Sequence, residues 1–583
     1  MTLDDRDLAH GPWRPGIDSQ IPADLLPLAT VFRDEHVRTS LRDAQELADL
    51  CGLPLRDVVA FRPERLALHE LLVRITANVS VPDGTRIEDL GINFRRITRT
   101  ILHDDVAPRM PQIEAAYADA CATLRSIVDR ELARLVAPPA SAAAPTGWLG
   151  RLRRGVDATP SPTPAEAPVV IADWEARART AEGPERAALR ALARVVGAVL
   201  VRHERLWGDR DVIARLATDI AANDWGSDVV GDAIEPLVVH AAKREGYKLL
   251  PRQEHPVVMN TKGPSAAGKS TMRLLQRALA GRIGVDWSEF ALISPDIWRK
   301  QFLDYASLGA AYKYAGAFTG EEVAIVDHKL DRYMARKAQR GDMSHLLIDR
   351  FRFDSFAPDS DEAGSNLLTR FGQIVYLFFL VTPPDALVER AWLRGLDVGR
   401  YKAVDDTLAH AVEAYAGMPE LFFTWIRRSD KRVHFEFLDN TVARGEPPRT
   451  AAFGWNDTLN VLDVECLIAI DRYRKINIDA KQPSELYPDV RMLEPVRNAA
   501  FFMRCLEEFH DIAFADQASG RVYMRIVQRR VSWADSDAMP AKVRELLRAL
   551  LPPDEWPARE GGPVILSSGE RAHTVGAWTT TEA

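Results

Sequence analysis

The chain has few cysteines and no long apolar run, although it is 583 residues long. Its four cysteines are widely scattered and form no Cys-x-x-Cys pair, which excludes a disulfide framework and a zinc knuckle. An apolar run such as residues 374–381 falls far short of the ~20 residues that a membrane-spanning helix needs. The first residues are acidic where a secretory signal needs basic residues and then an apolar stretch. We therefore expect a cytoplasmic protein with no membrane span.

An excess of positive charge is also missing, because 75 Lys and Arg residues face 83 Asp and Glu residues, a net charge of −8. This balance predicts no dedicated nucleic-acid surface. The apolar fraction of 46% and the charged fraction of 27% are those of ordinary globular proteins, which excludes a wholly disordered or coiled-coil chain. At roughly 150 residues per domain, the length predicts several domains.

Changes in composition divide the chain into five segments. Helical spacing of apolar residues predicts a helical N-terminal domain over 1–137 and a helical region over 169–250. Between them, residues 138–168 are rich in Pro and Ala and predict a flexible linker. Short apolar runs that alternate with helical stretches predict an α/β domain over 251–450, followed by a mainly helical C-terminal region over 451–583. The helical flanks could bind a protein partner.

The strongest motif is a complete G-x-x-x-x-G-K-[ST] between an apolar run and a helical stretch. It consists of Gly263, Pro264, Ser265, Ala266, Ala267, Gly268, Lys269, Ser270 and Thr271. Glycines let backbone N–H groups surround phosphate oxygens, the lysine neutralises the terminal phosphates, and the Ser270 hydroxyl can bind Mg²⁺. No guanine-binding signature follows, so ATP with Mg²⁺ is the predicted ligand. The fold class expected is an α/β, P-loop NTPase-like parallel sheet with helices on both faces, flanked by mainly α-helical regions.

Two acidic residues follow apolar runs of the predicted sheet. Asp296 comes after the run 290–294, and Asp349 ends the run 345–349. Because the carboxyl ends of parallel strands face the nucleotide, Asp296 is a candidate general base that accepts the proton of an attacking hydroxyl. The competing interpretation of Asp296 is a helix N-cap. Asp349 is a candidate ligand of Mg²⁺, or a solvated acid at a strand end.

Arginines follow the fourth apolar run. Arg390 and Arg394 share one helix face by their i, i+4 spacing, and Arg400 lies beyond a glycine in a lid-like loop. Delocalised positive charge at this place would stabilise a transferring phosphate. The alternative is a solvated basic helix. The aromatic segment 312–322 is a candidate wall of the pocket for the phosphate acceptor, or a packed loop before a helix.

On these residues, the stretch from about 255 to 445 resembles the zeta-toxin family of P-loop small-molecule kinases. The resemblance rests on the loop with Lys269, on Asp296, on the Arg390 and Arg400 pair, and on the turn 437–441. It implies that Asp296 deprotonates a sugar hydroxyl and that the two arginines bind the γ-phosphate, with a UDP-activated amino sugar as acceptor. Two other functions stay open: a kinase of a nucleotide, dinucleotide cofactor or polynucleotide end, and an ATP-driven switch.

Overall fold

The computed structural model describes residues 10–136, 167–350, 371–551, 556–558 and 562–578. They form two compact units that each draw on separate stretches of the chain. The sheet unit contains Met1–Ala23, Ile75–Ile97 and Gly246–Ala583, and the helical unit contains Asp24–Arg74 and Thr98–Glu245. The predicted linker lies outside the described residues, except that its last two residues belong to a helix.

From Leu41 to Glu245, the described residues are mainly helical. Their helices are α1 Leu41–Cys51, α2 Pro63–Asn78, α3 Asp89–Ile101, α4 Met110–Val136, α5 Ala167–Thr180, α6 Gly183–His203, α7 Arg210–Ala221 and α8 Ser227–Glu245. Within the helical unit, α4 packs against α6, α7 and α8. Leu124, Leu192 and Leu216 are among the fully buried apolar side chains of this bundle. Among the described residues, no helix is both long and apolar enough to cross a bilayer.

One sheet of eleven strands runs through the described part of the sheet unit. Its strands are β1 Val257–Lys262, β2 Phe290–Ile293, β3 His345–Asp349, β4 Ile374–Val381, β5 Arg432–Asp439, β6 Arg449–Trp455, β7 Thr458–Val461, β8 Asp511–Ala515, β9 Arg521–Val527, β10 Arg530–Ala534 and β11 Val564–Ile565. The order is β10-β9-β8-β7-β6-β5-β4-β1-β3-β2, and β11 pairs with β9. The five strands β1 to β5 are parallel to one another.

Helices cover both faces of the parallel part, which confirms a mixed α/β fold. The remaining helices are α9 Arg273–Arg282, α10 Gly320–Gln339, α11 Pro384–Val398, α12 Val404–Ile426, α13 Val464–Tyr473, α14 Ala500–Glu508 and α15 Ala541–Leu550, with short ones at Arg299–Phe302, Ala315–Phe318 and Ser568–Arg571. On one face Gln276 of α9 bonds Thr261 of β1, and on the other Phe422 of α12 packs on Phe437 of β5. Strands buried on both faces explain the continuous apolar runs.

The expectation of a mainly helical C-terminal region is wrong, because β6 to β11 extend the sheet beyond residue 450. Most of this extension is antiparallel, as in the pairs β5–β6, β8–β9 and β9–β10, while β7 and β8 are parallel. Antiparallel strands with one partly solvated face alternate apolar and polar residues, a weaker signal than the continuous runs of β1 to β5. The helices α13 to α15 and the short helix Ser568–Arg571 accompany these strands.

The position of β1 decides where a ligand can reach the sheet. Its neighbours are β3 on one side and β4 on the other, and all three strands are parallel. The chain therefore places β2 and β3 on one side of β1 and β4 and β5 on the other, and such a reversal of strand order is where a crevice forms at the carboxyl ends of parallel strands. The glycine-rich loop, residues 263–271, follows β1 directly into this crevice.

Candidate functional site

The glycine-rich loop is fixed by its own backbone and by the turn after β5. Gly268 has φ of +92°, and a Cβ there would lie 3.0 Å from the side-chain nitrogen of Asn440. Residues with side chains rarely adopt this conformation, so the loop requires glycine at this position. Asn440 in turn donates from Nδ2 to the carbonyl oxygen of Ala267 at 2.7 Å. The loop is thus braced from the side of β5 before it enters α9.

Lys269 turns back across this loop. Its Nζ donates to the carbonyl oxygens of Gly263 and Pro264 at 3.0 and 2.9 Å. Burial lowers the pKa of Lys269, and the nearby Asp349 carboxylate offsets part of that effect. A buried ammonium that is hydrogen-bonded to neutral carbonyl oxygens gains from a polyanion beside it.

Ser270 and Asp349 come together as the predicted pair. The Ser270 hydroxyl donates to Oδ2 of Asp349 at 2.9 Å, and the Ser294 hydroxyl reaches the same oxygen at 3.3 Å. Hydroxyl and carboxylate oxygens are ligands that Mg²⁺ accepts, with water and phosphate oxygens completing its shell. Within the described ranges no group of three or more His, Cys, Asp or Glu residues could hold a metal by itself. The donor set fits a Mg²⁺ ion that arrives with a phosphate.

Asp296 lies in a short 3₁₀ turn, Pro295–Trp298, directly after β2. Its Oδ2 pairs with Arg400 at 2.7 Å, and its Oδ1 accepts from Nε of Arg299 at 2.8 Å. Burial would raise the pKa of Asp296, but the charges of Arg400 and Arg299 outweigh it and hold that pKa well below its ordinary value. The predicted base and one predicted phosphate-binding arginine are therefore in direct contact. In the described part of the chain, Asp296 does not cap a helix through its side chain.

The two arginines of α11 are placed differently. Arg390 donates from one terminal nitrogen to the carbonyl oxygens of Asn440 and Val442 at 2.9 and 3.0 Å, in the turn after β5. Arg394 lies close enough to Arg400 and Asp296 to interact with both charges, and burial lowers its pKa to about 9. The buried Nε of Arg394 has no hydrogen-bond partner among the described residues. Of the two, Arg394 shares the site of Asp296, whereas Arg390 braces the turn that holds the loop.

Lys402 adds a cation that the sequence motifs do not single out. Its Nζ contacts Nδ1 of His410 and lies 3.5 Å from the Asp406 carboxylate, and its side chain is only 11% exposed. Burial lowers the pKa of Lys402 to about 7, with smaller contributions from the charges of Arg394 and Lys269. Its position two residues after Arg400 in the lid-like segment is the one available sequence signal.

Tyrosines and a tryptophan line up beside these cations. The hydroxyls of Tyr312 and Tyr401 lie 3.4 Å apart, and the Trp392 ring packs edge-on against Tyr401 at 5.4 Å. A Cβ on Gly395 would lie 2.4 Å from the Tyr401 ring, so α11 needs its glycine to admit this ring. Arg299 ties the segment down by donating to the carbonyl oxygen of Gly316 at 2.7 Å. The predicted acceptor segment is thus joined to Asp296 through Arg299.

Arg350, the residue after Asp349, holds the end of β3 in place. Arg350 is buried and pairs with Asp327 at 2.7 Å and with Asp331 at 2.5 Å, both on α10. These carboxylates hold the carboxyl end of β3 against α10 and so position Asp349.

Compared with protein-family models and with curated proteins, the chain matches none.

Proposed function

We propose that the chain is an ATP-dependent phosphotransferase that resembles the zeta-toxin family and phosphorylates a hydroxyl of a small metabolite such as a UDP-amino sugar. One observation carries this proposal: the Arg400–Asp296 pair, at 2.7 Å, lies in the same crevice as Lys269 and the Ser270–Asp349 pair. A site that only binds or hydrolyses nucleotide needs the loop and the metal ligands. It does not need a carboxylate that is held by an arginine and joined to an aromatic pocket wall.

The nucleotide end of the site consists of the glycine-rich loop and four basic side chains, those of Lys269, Arg394, Arg400 and Lys402. Loop N–H groups and Lys269 would hold the β- and γ-phosphates, and Ser270 with Asp349 would hold Mg²⁺. When bound, Mg²⁺ neutralises charge on the phosphate oxygens. Arg394, Arg400 and Lys402 face the same region, and burial lowers the pKa of Arg394 and of Lys402. A polyphosphate would relieve the unfavourable burial of these cations.

The acceptor end of the site depends on Asp296. In the structure described here, its carboxylate is neutralised by Arg400 and Arg299. A γ-phosphate competes with Asp296 for Arg400, and loss of that charge moves the pKa of Asp296 back toward its ordinary range. The carboxylate then accepts the proton of the attacking hydroxyl more readily, while Arg400 stabilises charge on the transferring phosphoryl group. Arg400 in this scheme couples arrival of the nucleotide to activation of the base.

The test is phosphoryl transfer by the whole chain from labelled ATP to an extract of small metabolites, with products identified by mass spectrometry. Asp296→Asn keeps the shape of the side chain but removes the proton acceptor. We expect ATP binding to survive and transfer to fall by roughly 10²- to 10⁴-fold, the usual contribution of general-base catalysis. Arg400→Ala should lower kcat more than it weakens ATP binding, because the charge it faces is greatest in the transition state.

Asp457→Asn is the matched control, since Asp457 is an exposed acid in the β6–β7 hairpin of the same unit. It should leave both binding and transfer unchanged. Transfer by a folded Asp296→Asn protein at the rate of the parent would contradict the role of the base. ATP hydrolysis without any phosphorylated product, in an extract that contains UDP-amino sugars and nucleotides, would favour the switch over the kinase.

A further inference from the structure

The C-terminal part of the sheet contains a cavity that the proposed kinase site does not use. It has a volume of about 150 Å³ and lies between one face of β7 to β10 and the segment 564–570. A cavity of about this size holds a molecule such as benzene, and it is smaller than the ~300–1,000 Å³ of pockets for drug-sized ligands. A ligand of this cavity would therefore have on the order of six to eight non-hydrogen atoms.

Strand register builds the floor of this cavity. Asn460, Ala513 and Arg525 are directly paired across β7, β8 and β9, and Trp533 of β10 pairs with Arg525. Directly paired residues point to the same face of a sheet, so these four side chains form one row. Val564 of β11 and its paired residue Val522 of β9 form an apolar part of the cavity wall.

Asn460 is the first sign of a ligand. The residue is 6% exposed, and no hydrogen bond joins its side-chain amide to another described residue. Its side chain lines the cavity. Its amide atoms are not among the fully buried unpaired polar atoms of the described residues, so they face the open space of the cavity. An amide offers both a donor and an acceptor to whatever fills the cavity.

Charges of both signs also line the cavity. Arg525 donates from Nε and one terminal nitrogen to Asp511 at 2.8 and 2.5 Å, which leaves its other terminal nitrogen without a bond to a described residue. Glu570 accepts from the backbone and hydroxyl of Ser567 through Oε2 alone. Its other oxygen has no described donor. One guanidinium edge and one carboxylate oxygen thus remain available at the lining of the same cavity.

We propose that this cavity binds a small zwitterionic α-amino acid, with its carboxylate on Arg525 and Asn460, its ammonium on Glu570 and its side chain among Val522, Val564 and Trp533. Arg525 and Glu570 are exposed, so water serves them in the free protein. A simple amine would contact only the carboxylate, and a simple carboxylate only the guanidinium and the amide. A ligand that carries both charges a few bonds apart contacts all three polar groups at once. Alanine, serine, threonine and valine fit the volume.

The experiment is isothermal titration calorimetry of the whole chain with these four amino acids, with leucine and tryptophan, and with ethylamine and propanoate. At least one of the four small amino acids should bind. Tryptophan, which exceeds the volume, should not, and the two singly charged analogues should bind at least tenfold more weakly. Failure of all four small amino acids to bind, or equal binding of ethylamine or propanoate, overturns the proposal.

Variants then locate the site. Asn460→Ala should weaken binding about tenfold and Arg525→Met by about ten- to hundredfold, as expected for loss of a neutral and of a charged hydrogen bond. Arg521→Met is the matched control, because Arg521 is on the same strand but pairs with Asp535 at 2.8 Å and does not line the cavity.

Ala513→Leu fills the cavity without removing a polar group and should abolish binding. Unchanged affinity in folded Asn460→Ala or Ala513→Leu protein would place binding elsewhere and overturn the proposal. The analogue series on the unmodified chain decides the question even where a variant does not fold.

Discussion

Lys402 is the side chain from which we expect the candidate site to be sensitive to pH. Burial, and to a smaller extent the charges of Arg394 and Lys269, lowers the pKa of Lys402 to about 7, and the Asp406 carboxylate opposes this shift. We therefore expect Lys402 of the free protein to change its protonation state near neutral pH. A polyphosphate beside the ammonium favours its charged form, which raises this pKa.

We expect ATP binding at pH 7.5 to take up a proton, and the affinity for ATP to weaken as the pH rises from 6.5 to 8.5. Calorimetry in two buffers with different ionisation enthalpies measures the uptake directly. Lys402→Arg keeps a permanent charge and should remove both effects. Lys431→Arg is the control, because Lys431 bonds the carbonyl oxygen of Gly372 at the other end of β4 and β5. Proton uptake that persists in Lys402→Arg would contradict this assignment.

At the scale of residues, sequence predicts chemistry better than orientation. The Ser270–Asp349 contact and the Asp296–Arg400 contact both join residues that the motifs single out. The sequence does not distinguish Arg390 from Arg394, since an i, i+4 pair lies on one helix face. The tertiary structure distinguishes them, because Arg390 donates hydrogen bonds to carbonyl oxygens in the turn after β5, whereas Arg394 interacts with the charge of Asp296. Those carbonyls come from a turn about fifty residues further along the chain.

At the scale of elements, the C-terminal strap, residues 566–578, is held against the sheet by a buried acid. Glu436 of β5 accepts from the backbone N–H groups of Val575 and Gly576 at 2.8 and 3.0 Å, and from Thr450 at 2.7 Å. Burial raises the pKa of Glu436 to about 7, although these donors favour its charged form. At the helix end, Arg282 of α9 also donates to strap carbonyls.

The raised pKa predicts a specific pH dependence of stability. Between the ordinary pKa of glutamate and pH 7 the unfolded chain ionises Glu436 while the folded chain keeps it protonated, so stability falls as the pH rises. From pH 5 to pH 8 this one group should cost about 2 to 3 kcal/mol. Glu436→Gln does not titrate, and its stability relative to the parent should therefore improve by that amount over this range in urea unfolding. Glu446→Gln, at an exposed loop position, should show no such trend. Parallel pH profiles of the parent and Glu436→Gln would contradict the prediction.

The elements that sequence predicts well are those buried on both faces. The runs that became β1 to β5 are continuous and apolar, and each was expected as a strand. The β9–β10 hairpin was missed, and its turn shows why. Gln528 and Arg529 both have positive φ, at 51° and 64°, in a two-residue turn where Asn-Gly is the usual signal. Gln and Arg are not residues that a sequence pattern associates with a hairpin turn. The pairing of β9 with β10 in the sheet therefore determines this turn.

At the scale of the whole molecule, the predicted boundary at residue 450 runs through the sheet. Residue 450 lies inside β6, and β7 to β11 continue the sheet beyond it. Lys337 of α10 donates to the carbonyl oxygen of Ala77 and to Asn78, and Arg277 of α9 pairs with Asp83. A fragment of 251–450 loses all these partners and exposes an unpaired strand edge.

We therefore expect the 251–450 fragment to aggregate or to lack a cooperative melting transition, and to bind ATP far more weakly than the whole chain. Size-exclusion chromatography, circular dichroism melting and ATP calorimetry on both proteins test this. The whole chain carrying Lys269→Ala serves as the control for lost nucleotide binding in an intact fold. A monomeric fragment that melts cooperatively and binds ATP as the whole chain does would contradict the expectation.

The sheet unit draws its pieces from widely separated stretches of chain: Asp18 bonds Tyr314, and the strap covers β4 and β5 from residues 566–578. A ribosome makes these pieces at well separated times. At ~5–20 residues per second, about 560 residues separate them by roughly half a minute to two minutes. Throughout that interval the nascent sheet lacks its cover, and a chain that stops short of the strap has the glycine-rich loop without the segment that covers β4 and β5. The order of synthesis therefore places the loop before the completion of the sheet that carries it.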